Sequence, residues 1–251
     1  MPAPLAQRYV ARGAFSYRIY GQGHGPHRLL GFPPVGGHSL SFRNLAAALG
    51  PEVEVIAVDP PGHGFLSSTP LEEVEALVEL YQEGLPPELL VGATFFGYSL
   101  GAFVAHHLAT RRRPQSLILG APLPYHRRGR AHSQLPSPEL FAALVELGGL
   151  APAIRATPEL YAHFEPVLRA DFLAFERCSP PTVRLPTPTL VMGGREDQLC
   201  PPDALSEWDR YLPVESVALF EGGHFFWEQQ VEAVAATLRT WLEARAHVGS
   251  V

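Results

Sequence analysis

The chain has 251 residues, enough for one substantial hydrophobic core, with 46% hydrophobic residues and a formal net charge of −6. That balance excludes wholesale electrostatic binding to nucleic acid or to an anionic membrane. All 19 basic residues are Arg, which excludes Schiff-base chemistry, pyridoxal phosphate attachment and a phosphate-loop lysine.

Two cysteines, Cys178 and Cys200, are too few for a disulfide framework, and no Cys/His cluster has zinc spacing. Met1 to Phe15 contains Arg8 and Arg12 and no continuous apolar stretch, and no run approaches membrane-spanning length. The expectation is a cytoplasmic protein with a single domain over residues 1–251 and no metal or cofactor.

In chain order, Phe15–Tyr20 and Arg28–Phe32 read as strands, joined by a Gly-rich, hairpin-like connection from Gly21 to Pro26. Phe32-Pro33-Pro34-Val35-Gly36-Gly37 follows the second. Further strands are expected at Val53–Val58, Leu90–Phe96, Ser116–Leu119, Thr189–Met192 and Val217–Phe220. The later ones are nearly continuous apolar runs, as strands buried on both faces of a parallel sheet should be. Thr69-Pro70, Ser137-Pro138 and Thr157-Pro158 each place a hydroxyl before a proline, a helix-start pattern. After Ser137, apolar residues recur at Leu140, Phe141, Leu144 and Leu147; after Thr157, at Leu160, Phe164, Val167, Leu168, Phe172 and Phe175. Parallel strands usually need one crossover helix, so two consecutive amphipathic helices predict a lid, inserted at about 122–181 over the carboxyl edge of the sheet. The fold class is α/β: a mainly parallel central sheet, helices on both faces and a helical lid insertion.

Gly97-Tyr98-Ser99-Leu100-Gly101 lies between the run ending at Phe96 and an Ala-rich helical run, Ala102 to Ala109. A strand turning sharply into a helix needs small residues around the turn and pushes the apical residue outward. Ser99 then sits just before a helix N-terminus, where free N–H groups favour developing negative charge. That is the geometry of a nucleophile, and it requires a base and an orienting acid. His224, in Gly222-Gly223-His224-Phe225-Phe226 after the last strand, is the base by position; His38, His63 and His107 are weaker candidates. Asp197 and Glu196 both follow the strand at Thr189–Met192. Asp197 is preferred, because Gly193-Gly194-Arg195-Glu196-Asp197 makes a short loop able to face the His loop. Two N–H donors are needed for an oxyanion. Leu100 supplies one, and Val35 is the first residue after Pro33 and Pro34 that has an N–H.

Several segments together resemble the type II thioesterases that accompany nonribosomal peptide and polyketide synthases, members of the α/β-hydrolase superfamily. They are Pro33–Gly37, Gly97–Gly101, Gly193–Asp197, Gly222–Phe226, Leu147-Gly148-Gly149 and the lid segment Leu168-Arg169-Ala170-Asp171-Phe172. The order Ser99, Asp197, His224 is the α/β-hydrolase order. The resemblance runs from about Leu29 to Leu242, with Tyr98 and Leu100 standing where the family usually has His and Met. It implies a Ser-His-Asp enzyme that hydrolyses acyl groups from the phosphopantetheine arm of acyl or peptidyl carrier proteins. In that reading Phe141, Leu144, Phe164, Leu168 and Phe172 line the lid side of an acyl site. The arginines Arg111–Arg113, Arg127, Arg128 and Arg130 could meet an acidic carrier, although a solvated surface explains them as well. Two other readings stand beside this one: a small-molecule carboxylesterase with the same triad, and a non-catalytic binding protein of the same fold. The sequence leaves the oligomeric state open.

Overall fold

The computed structural model describes residues 6–21, 25–129, 131–150 and 152–246. Eight strands form one sheet in the order β1-β2-β4-β3-β5-β6-β7-β8. They are β1 (Gln7–Arg12), β2 (Phe15–Tyr20), β3 (His27–Phe32), β4 (Val53–Asp59), β5 (Thr94–Tyr98), β6 (Ser116–Gly120), β7 (Thr189–Gly194) and β8 (Val214–Phe220). The pairs β1–β2 and β2–β4 are antiparallel; every pair from β4 to β8 is parallel.

Successive residues on the central strands point to opposite faces, and both faces are covered. Leu30, Phe95 and Leu117 pack with α2 (Val74–Gly84) and α4 (Leu100–Arg111). Leu29, Phe96 and Ile118 pack with α1 (Arg43–Leu49), α8 (Phe226–Gln229) and α9 (Val231–Ala246). A short α3 (Pro87–Leu90) precedes β5.

Between β6 and β7 the chain makes α5 (Ser137–Glu146), α6 (Pro152–Ala156) and α7 (Pro158–Arg177). They carry their own small apolar cluster of Leu140, Leu144, Leu150, Tyr161, Leu168 and Phe172, against which Val35 packs from the main body.

Several sequence expectations need correction. The connection after β2 is no hairpin: β3 lies beyond β4 and parallel to it, so β2 pairs with β1 and β4. Residues 22–24 of that connection lie outside the described residues. Thr69-Pro70 starts no helix, since α2 begins at Val74 with Glu73 as its cap. Ser137 is the first residue of α5 rather than its cap, and Thr157 caps α7 without a side-chain hydrogen bond. The strand expected from Leu90 begins at Thr94, because α3 ends at Leu90 and Gly92 turns the chain at φ 70°.

Candidate active site

β5 runs into α4 through Gly97-Tyr98-Ser99-Leu100-Gly101. Ser99 has φ 51° and ψ −114°, a conformation that side chains rarely adopt and that marks a strained, functional turn. Close backbone packing forces it. A Cβ on Gly97 would lie 2.0 Å from the Gly101 carbonyl oxygen, and one on Gly101 2.0 Å from that of Phe32. The Ser99 N–H donates to the Gly120 carbonyl at 2.8 Å, which ties the turn to the end of β6.

The loops after β7 and β8 bring in two more residues. The Arg195 N–H donates to Phe220 O at 2.9 Å and the Glu196 N–H to Gly222 O at 3.0 Å, so the two loops are zipped together. A Cβ on Gly194 would lie 2.4 Å from the carbonyl oxygens of Gly222 and Gly223. His224 Nδ1 stands 2.8 Å from Asp197 Oδ2, and its Nε2 stands 3.1 Å from Ser99 Oγ. Asp197 Oδ1 accepts the N–H groups of Leu199 and Cys200, each at 2.9 Å. Ser99, Asp197 and His224 are all buried, whereas Glu196 is exposed. Asp197 accepts a hydrogen bond from Nδ1–H, leaving the Nε2 lone pair to accept from the serine hydroxyl.

Tyr98 is buried and stacks on Trp227, with centroids 4.5 Å apart. Its hydroxyl donates to the His224 carbonyl at 2.5 Å and so holds the main chain that carries the imidazole. Burial pushes this phenol well above its usual range, which keeps it a donor.

Of the expected N–H donors, Val35 lines the same cavity as Ser99, and Leu100 follows Ser99 at the start of α4. The turn after β3 is closed by Gly37 N–H to Pro34 O at 2.8 Å, with Gly36 at φ 69°. Neither Val35 N–H nor Leu100 N–H has an acceptor among the described residues. Ser99, His224, Val35, Pro34, Leu144, Leu147, Gly149, Phe172, Leu199 and Phe225 enclose a chamber of about 30 Å³. A groove of about 550 Å³ shares Pro34, Val35, Gly149 and Phe225 with it and adds His38, Ser41, Arg155, Phe164 and Leu168. Of the five lid residues singled out in the sequence, Leu144 and Phe172 therefore face the chamber and Phe164 and Leu168 the groove. Phe141 lines neither: it packs edge-on to Tyr161 at 4.9 Å inside the lid's own cluster.

Two features had no clear sequence signal. His63 is buried and pairs with Asp171 of α7, Nε2 to Oδ2 at 2.9 Å. Glu75, His107 and Cys178 meet on the far side of α4, but through opposite ring nitrogens: His107 Nδ1 is 3.5 Å from Glu75 and Nε2 3.3 Å from Cys178 Sγ. Burial pushes the Cys178 thiol up to about 12 and pulls His107 down. Among the basic residues, Arg127 pairs with Glu207 and Asp203, while Arg128 lies against Phe103, Tyr125 and Phe175 and donates to the Phe175 and Cys178 carbonyls. Arg130 lies outside the described residues. No helix among the described residues is long and apolar enough to cross a membrane.

A mainly parallel sheet, a strained serine between strand and helix, and acid and histidine after the last two strands define an α/β-hydrolase. Residues 27–242 match the Thioesterase domain family, and the chain belongs to that family. It is 30% identical over 232 residues to thioesterase PikA5 of Streptomyces venezuelae, covering 88% of this chain and 83% of that one. It is 28% identical over 231 residues to phenyloxazoline synthase MbtB of Mycobacterium tuberculosis, a match of 84% of this chain that spans 16% of the synthase. The type II thioesterase BorB from the borrelidin biosynthetic cluster superposes with a TM-score of 0.80 at 25% identity, covering 94% of this chain and 97% of that chain.

Proposed function

We propose that the chain hydrolyses acyl thioesters carried on the phosphopantetheine arm of an acyl or peptidyl carrier protein, with Ser99 as nucleophile, His224 as base and Asp197 as its orienter. The observation that carries the reading is the hydrogen-bonded chain from Ser99 Oγ through His224 to Asp197, set beside two N–H groups without acceptors. Ser99 Oγ attacks the thioester carbonyl as its proton passes to His224 Nε2. The developing oxyanion is received by the N–H groups of Val35 and Leu100. The C–S bond breaks, the thiolate takes the proton from His224, and an acyl ester remains on Ser99. Water, deprotonated by the same imidazole, then attacks that ester and releases the carboxylic acid.

The cavities suit such a substrate. The small apolar chamber beside Ser99 matches a short acyl group, and the longer groove, with polar residues among its lining, matches a pantetheine arm. In this reading the segment 122–181 is a lid, because α5 and α7 supply Leu144, Phe164, Leu168 and Phe172 to the two cavities.

The test uses a carrier protein loaded with acetyl-phosphopantetheine. The parent should release acetate and Ser99→Ala should lose at least about 10³-fold in turnover while remaining folded. Wild-type-like turnover by Ser99→Ala refutes the assignment. Turnover of a free p-nitrophenyl ester with none of the carrier thioester favours the carboxylesterase reading. Failure of Ser99 to react with a fluorophosphonate, together with no turnover at all, favours the binding protein.

A further inference from the structure

We propose that Asp171, on the inserted helix α7, is a positioning residue for the acyl-transfer site: it fixes the oxyanion turn through the Gly36 N–H and is itself held by His63. The proposal rests on the reading of Val35 and Leu100 as the oxyanion donors.

Three segments far apart in sequence meet at one carboxylate. Asp171 Oδ2 accepts the Gly36 N–H at 2.7 Å and faces His63 Nε2 at 2.9 Å. His63 is anchored on its other side, with Nδ1 2.9 Å from the Pro61 carbonyl. A carbonyl and a carboxylate on the two ring nitrogens are both satisfied when both nitrogens carry protons. Burial alone disfavours that cation, yet the charge and hydrogen bond of Asp171 outweigh it and raise His63 above its ordinary value. The two side chains are 2% and 4% exposed, so little water is at hand to replace either partner.

The contact falls on the part of the turn that bears on the reaction. Pro33 and Pro34 have no N–H, and the Gly36 and Gly37 N–H groups are taken by Asp171 and the Pro34 carbonyl, so after β3 this loop leaves Val35 as the oxyanion donor, with Gly36 the next residue. Closure from Gly37 to Pro34 with a positive φ at Gly36 fits a type II turn, whose middle peptide can flip. Accepting the Gly36 N–H holds that peptide in one orientation, and a charged acceptor holds it more strongly than a neutral one. One turn earlier on the same helix face, Leu168 closes on Gly36 so tightly that a Cβ there would lie 2.6 Å from Leu168 Cδ2. The helix therefore touches the turn at two points spaced by three residues. It does more than cover the chamber: it anchors the peptide adjoining the one that carries the Val35 N–H, and with it the turn on which that donor sits. Misplacement of a reacting group by about 1 Å costs on the order of 10²-fold in rate.

The experiment compares Asp171→Ala, Asp171→Asn and Leu168→Ala using the short thioester acetyl-pantetheine, which needs no carrier docking. Butylboronic acid, whose adduct with Ser99 is tetrahedral, is the second probe. Asp171→Ala should lower kcat about 10- to 100-fold with KM changed less than about threefold, and should weaken boronate binding by a similar factor. Asp171→Asn should recover part of both losses, because its amide oxygen can still accept the Gly36 N–H. Leu168→Ala, which loosens the same helix but leaves the hydrogen bond, should act on KM and thermal stability more than on boronate binding. Wild-type kcat and boronate affinity in Asp171→Ala, a loss confined to KM, or Asp171→Asn as impaired as Asp171→Ala would overturn the proposal. Should Asp171→Ala not fold, Asp171→Asn and Leu168→Ala decide it by the contrast between boronate affinity and KM. Ser99→Ala is run alongside. Turnover surviving in that variant overturns the reading of the site and this proposal with it, whereas a dead Ser99→Ala beside a full-speed Asp171→Ala overturns this proposal alone.

Discussion

Asp197→Asn should lower kcat by about 30- to 10⁴-fold, and the reason lies in which oxygen does what. Oδ1 of Asp197 accepts two backbone N–H groups, from Leu199 and Cys200, while Oδ2 faces His224 Nδ1. An asparagine has one acceptor and one donor end. Seating its oxygen on the two N–H groups turns its NH₂ toward His224. Nδ1 must then accept, the ring proton moves to Nε2, and the imidazole presents a donor to Ser99 Oγ instead of a base. The alternative is to flip the amide, which sets its NH₂ against two N–H groups in a buried site. Each buried donor left unsatisfied costs about 1–3 kcal/mol, so the flip costs about 2–6 kcal/mol. At about 1.4 kcal/mol per decade this is roughly 30- to 10⁴-fold, and the upper end matches the loss expected when the imidazole is held in the wrong tautomer. The assay is steady-state hydrolysis of acetyl-pantetheine, with a thermal melt to show that the fold survives. Glu196→Gln is the control, since Glu196 is exposed. A loss of less than tenfold in Asp197→Asn, or an equal loss in Glu196→Gln, would refute the reasoning.

Two further outcomes follow from buried contacts. Tyr98→Phe strands the His224 carbonyl, at a cost of about 1–3 kcal/mol, and should lower the melting temperature by about 2–4 °C per kcal/mol, with a few-fold fall in kcat; an unchanged melt would show that the carbonyl finds another donor. His63→Gln keeps an N–H for Asp171 but loses the charge. His63 binds its proton more tightly in the folded chain than unfolded, so its contribution is full below its ordinary value near 6.5 and fades as pH rises through the raised folded value. Wild type should therefore exceed His63→Gln in stability by about 1.5–3 kcal/mol near pH 5.5, with the gap closing toward pH 9; a gap constant across that range in parallel denaturation curves contradicts the ion pair.

The meeting of Ser99, Asp197 and His224 was legible in the sequence because each sits at a strand end where topology leaves little choice. Glycines at 97, 101 and 194 mark where main chains touch, and the small residues themselves signal that proximity. β1 was missed because Gln7–Arg12 is an edge strand whose residues are nearly all exposed, so no alternation of apolar residues announces it. The hairpin reading failed because a Gly-rich connection says that the chain turns, not on which side of the neighbouring strand it returns. Phe141 was placed in the acyl site because a helical stripe shows which residues share a face and not what that face meets. His63 and Asp171 stand 108 positions apart, and a lone His in a Pro-Gly-His-Gly turn carries no trace of its partner.

The contact at Gly101 bears on how such a chain can change its diet. Its missing side chain lets the start of α4 rest directly on the Phe32 carbonyl, where the oxyanion turn begins. Ser99 and the turn are thus registered against each other at this point by main-chain atoms rather than by the side chains that wall the chamber. The chamber wall, by contrast, draws Leu144, Leu147, Gly149 and Phe172 from the segment inserted between β6 and β7. Under the proposed acyl-transfer reading, point changes at 144, 147 and 172 should therefore shift the preferred acyl group while leaving the Ser99 turn in place.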